Sequence, residues 1–162
     1  DTRIIGYADF LDLVGGRVPL LVEIKSEWTK PNAGFLKAIA ALSLAYAGPL
    51  ALMSFDPDVM TLMRGLAPKV PRGIVAGVYA GDGWWPDRIG AERAYRLTNL
   101  LEAASVEPAF YSYHVKSLPT AVTRYVREVQ GLPLFCWTVR TTEDRQRAEK
   151  WSDAPTFEGF EP

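Results

Sequence analysis

The regular alternation of short apolar runs with helix-like segments is the feature that most constrains this fold. Apolar runs at about 50–55, 109–115 and 133–139 are each followed by a segment with apolar residues at helical spacing. Strands that alternate with helices in this way predict βαβ units, a parallel sheet and right-handed crossovers. The chain has no glycine-rich phosphate-binding fingerprint, which disfavours a doubly wound nucleotide-binding fold and favours a barrel.

We count six strands, and a closed (β/α)8 TIM barrel needs eight. The predicted strands lie at about 19–25, 50–55, 72–78, 109–115, 133–139 and 156–160. The predicted helices lie at 7–14, after Asn32, after Asp56-Pro57, at about 90–104, at about 118–130 and after Thr141. The expected fold is therefore an incomplete α/β barrel of about six parallel βα units, in one domain covering residues 1–162.

The first residues, Asp1-Thr2-Arg3, carry neither an initiator methionine nor a signal-peptide pattern. We therefore expect the chain to be the C-terminal portion of a longer protein that supplies the first two strand–helix units. An open arc leaves two sheet edges and inward-facing apolar residues exposed. It is expected to be completed by a missing N-terminal segment or to associate as a homo-oligomer.

Composition excludes several classes of partner. The 162 residues have 18 Lys and Arg against 19 Asp and Glu, which gives no electrostatic reason to expect nucleic acid. No apolar stretch approaches the roughly 18–20 residues of a membrane span. The single cysteine, Cys136, lies in an apolar run and predicts a buried structural thiol in a cytoplasmic protein.

The stretch at 18–28, Val-Pro-Leu-Leu-Val-Glu-Ile-Lys-Ser-Glu-Trp, predicts the first buried strand. Because side chains alternate along a strand, Leu21, Glu23 and Lys25 share one face. Charges at the carboxyl end of a buried strand are costly to desolvate, and ligands of α/β proteins bind at that end. Glu23 and Lys25 are therefore candidates for chemistry, although they could also form a purely structural ion pair.

A pair of tryptophans and the single histidine could each have a structural or a functional role. The adjacent Trp84 and Trp85 lie in a loop rich in glycine, where packing over a barrel rim is favoured over a role in a site. The only histidine, His114, lies in the fourth predicted strand, and we interpret it as a structural or rim residue.

Three blocks of the sequence resemble the glycerophosphodiester phosphodiesterase family. Leu-Val-Glu-Ile-Lys at 21–25 is similar to that family's Leu-x-Glu-Ile-Lys strand. Met-Ser-Phe at 53–55 is similar to its Ser-Phe strand end, and Cys-Trp-Thr-Val at 136–139 to its Trp-Thr-Val strand end. The order and spacing of the blocks fit as well, and the resemblance covers essentially the whole chain.

This resemblance implies a (β/α)8 barrel that hydrolyses glycerophosphodiesters to an alcohol and glycerol 3-phosphate with a divalent cation, Mg²⁺ or Ca²⁺. It implies that Glu23 is a metal ligand and that Lys25 lies beside the phosphate. It also implies substrate contacts for Phe55 and for Trp137, which matches an aromatic residue lining the glycerol site. As an alternative, Trp137 only packs at the top of the barrel.

The sequence also departs from the family pattern. The family's two catalytic histidines and two further acidic metal ligands have no counterpart here, so we assign no catalytic residue to this chain. Arg140 follows the Trp-Thr-Val block, and the final Thr-Asp of the family is replaced in Phe-Glu-Gly-Phe at 157–160. One carboxylate and one lysine cannot run general acid–base catalysis, so we expect the isolated chain to be inactive.

Two other hypotheses stay open. The chain could be a truncated or decayed barrel that serves as a non-catalytic binding or interaction module. It could also be a different barrel enzyme in which Lys25 is a Schiff-base amine, although the missing partner groups disfavour that hypothesis.

Overall fold

A computed structural model describes residues 4–80, 85 and 89–160, and within these ranges six strands alternate with six α-helices. The strands are β1 (Leu20–Glu23), β2 (Leu50–Ser54), β3 (Arg72–Ala76), β4 (Phe110–His114), β5 (Leu134–Val139) and β6 (Ala154–Phe157). The helices are α1 (Tyr7–Val14), α2 (Ala33–Ala45), α3 (Pro57–Leu66), α4 (Gly90–Thr98), α5 (Ala121–Tyr125) and α6 (Thr142–Trp151).

The six strands form one parallel sheet in the order of the sequence. Three strand spacings separate β2 from β5, which is about 14 Å in a flat sheet. The ring of Phe55, directly after β2, nevertheless lies 5.1 Å from the ring of Trp137 on β5. The sheet is therefore strongly curled, and the predicted incomplete TIM barrel is confirmed.

The outer face of the sheet, defined as the side covered by the helices, carries the main core. Leu52 on β2 and Leu134 on β5 are fully buried there, together with Met60 and Met63 of α3. Apolar side chains on helices and strands can leave water only by packing against each other, so this layer holds the arc together.

Side-chain caps set the start of three helices, as the sequence predicts. Asn32 accepts a hydrogen bond from the Phe35 amide at the start of α2. Asp56 precedes α3, with Pro57 as the first helical residue. Thr141 caps α6 by accepting from the Asp144 amide.

The inner face, defined as the concave side of the curled sheet, carries a smaller apolar cluster. Met53, Val75 and Phe110 are buried in it. Gly73 faces Phe110 across the β3–β4 ladder, and a Cβ at Gly73 would overlap the Phe110 ring. The glycine thus permits a bulky ring to lie flat against the neighbouring strand.

Two predicted helices are shorter than expected. Helix α4 ends at Thr98 and not near 104, because the chain reverses at Leu100, which has a φ of 56°. The segment predicted as helix at 118–130 begins only at Ala121, after the Thr120 cap. A 3₁₀ turn at Val115–Ser117 precedes it and a π-helical turn at Val126–Gln130 follows it.

The last strand also differs from the prediction: β6 runs from Ala154 to Phe157 and not over 156–160. It contains Pro155, which an edge strand tolerates because the missing N–H can point away from the ladder. Within the described residues, β6 pairs only with β5 and β1 only with β2. Strands β1 and β6 are thus the two predicted open edges. All four residues of β6 are exposed, and the inward-facing Leu21 on β1 is 40% exposed.

Two predictions fall partly outside the described residues. Trp84 and residues 1–3 lie outside them. The neighbouring Trp85 is described, and its ring lies 5.5 Å from that of Tyr79, which agrees with a packing role. None of the helices in the described ranges combines the length and apolar character needed to cross a membrane.

Candidate functional site

The predicted site residues meet at the carboxyl ends of the strands, on the inner face. Glu23 is in register with Met53 of the inner cluster, so its side chain belongs to the same face. The side chains of Glu23, Lys25, Phe55, His114 and Trp137 form a continuous series of contacts, which we call the mouth cluster. Ligands of barrel enzymes bind at this end of the strands.

Glu23 and Lys25 form an ion pair at one end of the mouth cluster. Lys25 Nζ donates to Glu23 Oε1 at 2.7 Å, and the Lys25 side chain is 81% exposed while that of Glu23 is 23% exposed. An ion pair so open to water contributes at most about 1 kcal/mol to stability. Stability alone therefore gives little reason for these two charges to lie here.

Backbone contacts to β2 hold the turn that carries Lys25. The Ile24 amide donates to the Met53 carbonyl at 2.8 Å, and Ser54 Oγ donates to the Ile24 carbonyl at 2.7 Å. Ile24 itself is buried among the helices. Since Ile24 is anchored on the outer face, the side chains on either side of it turn to the inner face.

The residue after Lys25 is held by a buried carboxylate that the sequence analysis assigned only as a helix cap. Ser26 Oγ donates to the carboxylate of Asp56, which is 1% exposed. Asp56 also accepts from the Asp58 amide at 3.1 Å, so one carboxylate both caps α3 and fixes the loop after β1.

Arg93 compensates the buried charge of Asp56 from α4. Its guanidinium lies 3.3 Å from Asp56, 3.1 Å from Asp58 and 3.2 Å from Glu102. The same guanidinium lies over the Trp28 ring at 5.5 Å. This network links the segment after β1, the start of α3, helix α4 and the segment after α4. No spacing in the sequence indicates it, because its members are distant along the chain.

Aromatic rings form the middle of the mouth cluster. Lys25 Nζ lies 5.8 Å from the Phe55 ring centroid, and the Phe55 and Trp137 rings meet edge to face at 5.1 Å. Trp137 Nε1 donates to the Ser112 carbonyl at 3.3 Å, which fixes the indole against β4. The structure thus brings together all four residues singled out by the resemblance: Glu23, Lys25, Phe55 and Trp137.

His114, which the sequence analysis interpreted as a structural or rim residue, completes the mouth cluster. It lies opposite Trp137 in the β4–β5 ladder, with ring centroids 4.8 Å apart. Its Nδ1 lies 3.3 Å from Ser117 Oγ. Ser112 and His114 alternate with Tyr111 and Tyr113, so β4 carries polar residues on one face at its carboxyl end. The same pattern, polar residues on one face at the carboxyl end of a strand, identified Glu23 and Lys25 in the sequence.

Burial lowers the pKa of His114, and the nearby cations Lys116 and Arg140 lower it further, while Asp144 partly opposes them. The neutral form of the imidazole is therefore favoured at pH 7. Ser112 Oγ, two residues earlier on the same face, is buried and has no hydrogen-bond partner among the described residues.

The described residues do not by themselves fit a divalent cation. Mg²⁺ and Ca²⁺ take six or more oxygen ligands, usually with several carboxylates. Glu23 is the only carboxylate of the mouth cluster, and it is paired with Lys25. Nowhere in the described part of the chain do three His, Cys, Asp or Glu side chains form a group that could hold a metal ion.

Lys25 also lacks the surroundings of a Schiff-base lysine. Such an amine is activated by desolvation in an apolar pocket or by a second cation. The Lys25 side chain is 81% exposed and is paired with a carboxylate. The geometry therefore gives no support to the hypothesis of a Schiff-base enzyme.

Comparison with known proteins finds similarity in structure and not in sequence: no family model and no curated protein matches this chain. A Silicibacter pomeroyi protein assigned as a glycerophosphoryl diester phosphodiesterase matches with a TM-score of 0.66 and 22% identity, over 93% of this chain and 52% of its own. A Parabacteroides distasonis glycerophosphodiester phosphodiesterase matches with a TM-score of 0.60 and 18% identity, over 93% of this chain and 58% of its own.

An Oleispira antarctica phosphodiesterase, solved in complex with its product sn-glycerol-3-phosphate, matches with a TM-score of 0.57 and 16% identity. The match covers 93% of this chain and 54% of the Oleispira chain. This chain thus spans a little over half the length of each of these structures. It has the fold of that part of a glycerophosphodiester phosphodiesterase barrel.

Proposed function

We propose that this chain is the substrate-holding part of a glycerophosphodiester phosphodiesterase, which in its complete form releases an alcohol and glycerol 3-phosphate. The observation that carries the proposal is the mouth cluster. An ammonium group, two aromatic rings and a carboxylate meet at the end of a parallel barrel where ligands bind. The fold shared with phosphodiesterases supports it.

Within this proposal, each side chain has a definite role. Lys25 binds the phosphoryl group and offsets negative charge that develops on its oxygens during the displacement. Phe55 and Trp137 form an apolar wall against the carbon atoms of the substrate. Glu23 orients Lys25 through their hydrogen bond. It would also supply one ligand to a divalent cation, for which the rest of the complete barrel would have to provide the other ligands.

The rest of the barrel must supply the other groups. The sequence contains one histidine, whereas the proposed reaction needs both a general acid and a general base. The open edges at β1 and β6 offer a place for two more strand–helix units, from the same polypeptide or from a second one. The isolated chain is then expected to bind product without turning over substrate.

A cytoplasmic location is part of the same proposal. Its support is the single cysteine: Cys136 is buried and reduced, and burial raises the pKa of its thiol, which keeps it unreactive.

Binding of glycerol 3-phosphate tests the proposal directly. We expect the wild-type chain to bind it in an NMR titration with Mg²⁺ present, and Lys25→Gln to weaken binding about tenfold or more, because a charged contact to phosphate is lost. Lys69→Gln is the matched control, since Lys69 is an exposed lysine at the opposite, amino end of β3. Equal affinities of the two variants would refute the proposal.

Turnover gives a second test. The isolated chain should release no glycerol 3-phosphate from glycerophosphocholine, and a longer chain that completes the barrel should release it. A completed barrel that binds product but never turns over would favour the alternative, a truncated or decayed barrel that serves as a binding module.

A further inference from the structure

His114 is the polar group at the end of the mouth cluster away from Lys25. Lys25 lies against Phe55, Phe55 against Trp137, and Trp137 against His114. Two aromatic rings thus separate a permanent cation from an imidazole along the same wall. A ligand lying along this wall meets a charged group at one end and a titratable ring at the other.

The two ends suit different chemical groups. An ammonium donates only and favours an anion such as phosphate. A neutral imidazole has one donor and one acceptor, which matches a hydroxyl group because a hydroxyl also donates and accepts. Phosphate, which is acceptor-rich and charged, gains less from a neutral ring than from the ammonium.

Packing does not require a polar residue at this position. Inner-face positions on the neighbouring strands carry Met53 and Val75 of the inner apolar cluster and Phe135, which packs against it. Strand β4 contributes Phe110 to that cluster, but toward its carboxyl end it carries Ser112 and His114 on the same face. These polar side chains lie at the carboxyl end of the strand, where ligands of barrel enzymes bind, so they are placed to contact a ligand.

We propose that His114 is a specificity-determining residue that hydrogen-bonds a hydroxyl group on the glycerol moiety of the substrate. The inference rests on the proposed function and adds to it the group that distinguishes a phosphorylated polyol from a bare phosphate. Trp137 holds the imidazole in place through ring contact, and Ser117 Oγ engages Nδ1.

The single histidine makes this inference directly measurable. Its ring C–H signal in a proton NMR spectrum is unambiguous, since the sequence contains no other histidine. Glycerol 3-phosphate should shift this signal at saturation. Inorganic phosphate, titrated over the same range, should bind at Lys25 and leave the signal nearly unchanged.

Affinities of two variants complete the experiment. His114→Phe keeps a ring against Trp137 but has no donor or acceptor, and should weaken glycerol 3-phosphate binding about three- to tenfold without changing phosphate binding. His114→Gln keeps one donor and one acceptor and should retain most of the affinity. Urea midpoints close to wild type would show that both variants are folded.

The outcomes separate this inference from the function on which it rests. If Lys25→Gln weakens both ligands while His114→Phe changes neither, the inference is overturned and the proposed function stands. If His114→Phe weakens phosphate as much as glycerol 3-phosphate, His114 does not recognise a hydroxyl and the inference is again overturned. If the wild-type chain binds neither ligand, both proposals fail.

Discussion

The two faces of the curled sheet differ in how completely they are packed. The outer face is sealed by helices, and Leu52, Met60 and Leu134 on that side are fully buried. The inner face buries a small cluster around Met53 and leaves Leu21 40% exposed. Most of the buried apolar core therefore lies on the outer face, whereas the inner face has a smaller apolar cluster and the polar groups of the mouth cluster.

The largest effect should come from truncating the outer core. Leu52→Ala is expected to cost about 2–5 kcal/mol in the free energy of unfolding, because it removes a fully buried side chain and leaves a cavity. Leu21→Ala on the inner face should cost about 1 kcal/mol or less, since its side chain is already partly in water. Urea denaturation followed by tryptophan fluorescence measures both. Equal losses of unfolding free energy in the two variants would contradict the difference in packing between the two faces.

A smaller effect is expected where the inner face is tightly packed. Gly73→Ala places a methyl group into the ring of Phe110 and should destabilise the chain by about 1–3 kcal/mol. Phe110→Leu alone is destabilising as well, but the double variant should lose less than the sum of the two. A double-mutant cycle that shows simple additivity would mean that the ring and the glycine do not interact.

Removing the positive charge of Lys25 from the mouth cluster should hardly affect the stability of the chain. Lys25→Gln is expected to change the free energy of unfolding by less than about 1 kcal/mol, because the Lys25 side chain is 81% exposed and water screens its ion pair with Glu23. The same variant should strongly weaken phosphate binding. A large loss of stability would instead assign the Glu23–Lys25 pair a structural role.

The smallest expected effect is a dependence on pH. The pKa of His114 is lowered in the folded chain, so the unfolded chain binds a proton more readily as the pH falls below about 6.5. Stability should therefore decrease from that pH downward toward the folded pKa, and be unaffected by this residue above it. The difference between wild type and His114→Gln isolates the effect, and a difference that is flat over pH 5–7 would contradict it.

Local signals predicted much of the fold. Helix α1 has the predicted bounds, and the caps at Asn32, Asp56 and Thr141 lie where polar side chains precede apolar periodicity. Strand order also followed from the sequence, because consecutive βα units add neighbouring parallel strands. These features depend on residues close together along the chain.

The sequence predicts the buried face of α2 only in part. The helical spacing of Phe35, Ile39, Leu42 and Tyr46 predicts that these residues form its packing stripe. Ile39 does pack against the core, but Phe35 is 52% exposed, and Leu36 and Ala40 are buried. Almost every residue of this helix is apolar or small, so its periodicity cannot distinguish faces one residue apart. Only contacts with neighbouring elements determine the rotation of such a helix.

The sequence predicted four residues of the site but not the contacts that surround them. Glu23 and Lys25 follow from alternation in one strand, and Phe55 and Trp137 came from the family resemblance. The contact of His114 with Trp137 depends on the register between β4 and β5, and the bond between Ser26 and Asp56 depends on tertiary packing. Sequence spacing carries no information on such pairings.

The exposed strand β6 has a consequence for the thermodynamics of the chain. The backbone amides and carbonyls along the unpaired edge of β6 are aligned for pairing only when the arc is folded. Any strand that pairs with this edge therefore binds the native state and not the unfolded one. By mass action, such pairing would make the melting temperature rise with protein concentration. Adding a polypeptide that supplies complementary βα units would raise the melting temperature further. In a titration with that polypeptide, binding at the edge would saturate at a fixed stoichiometry.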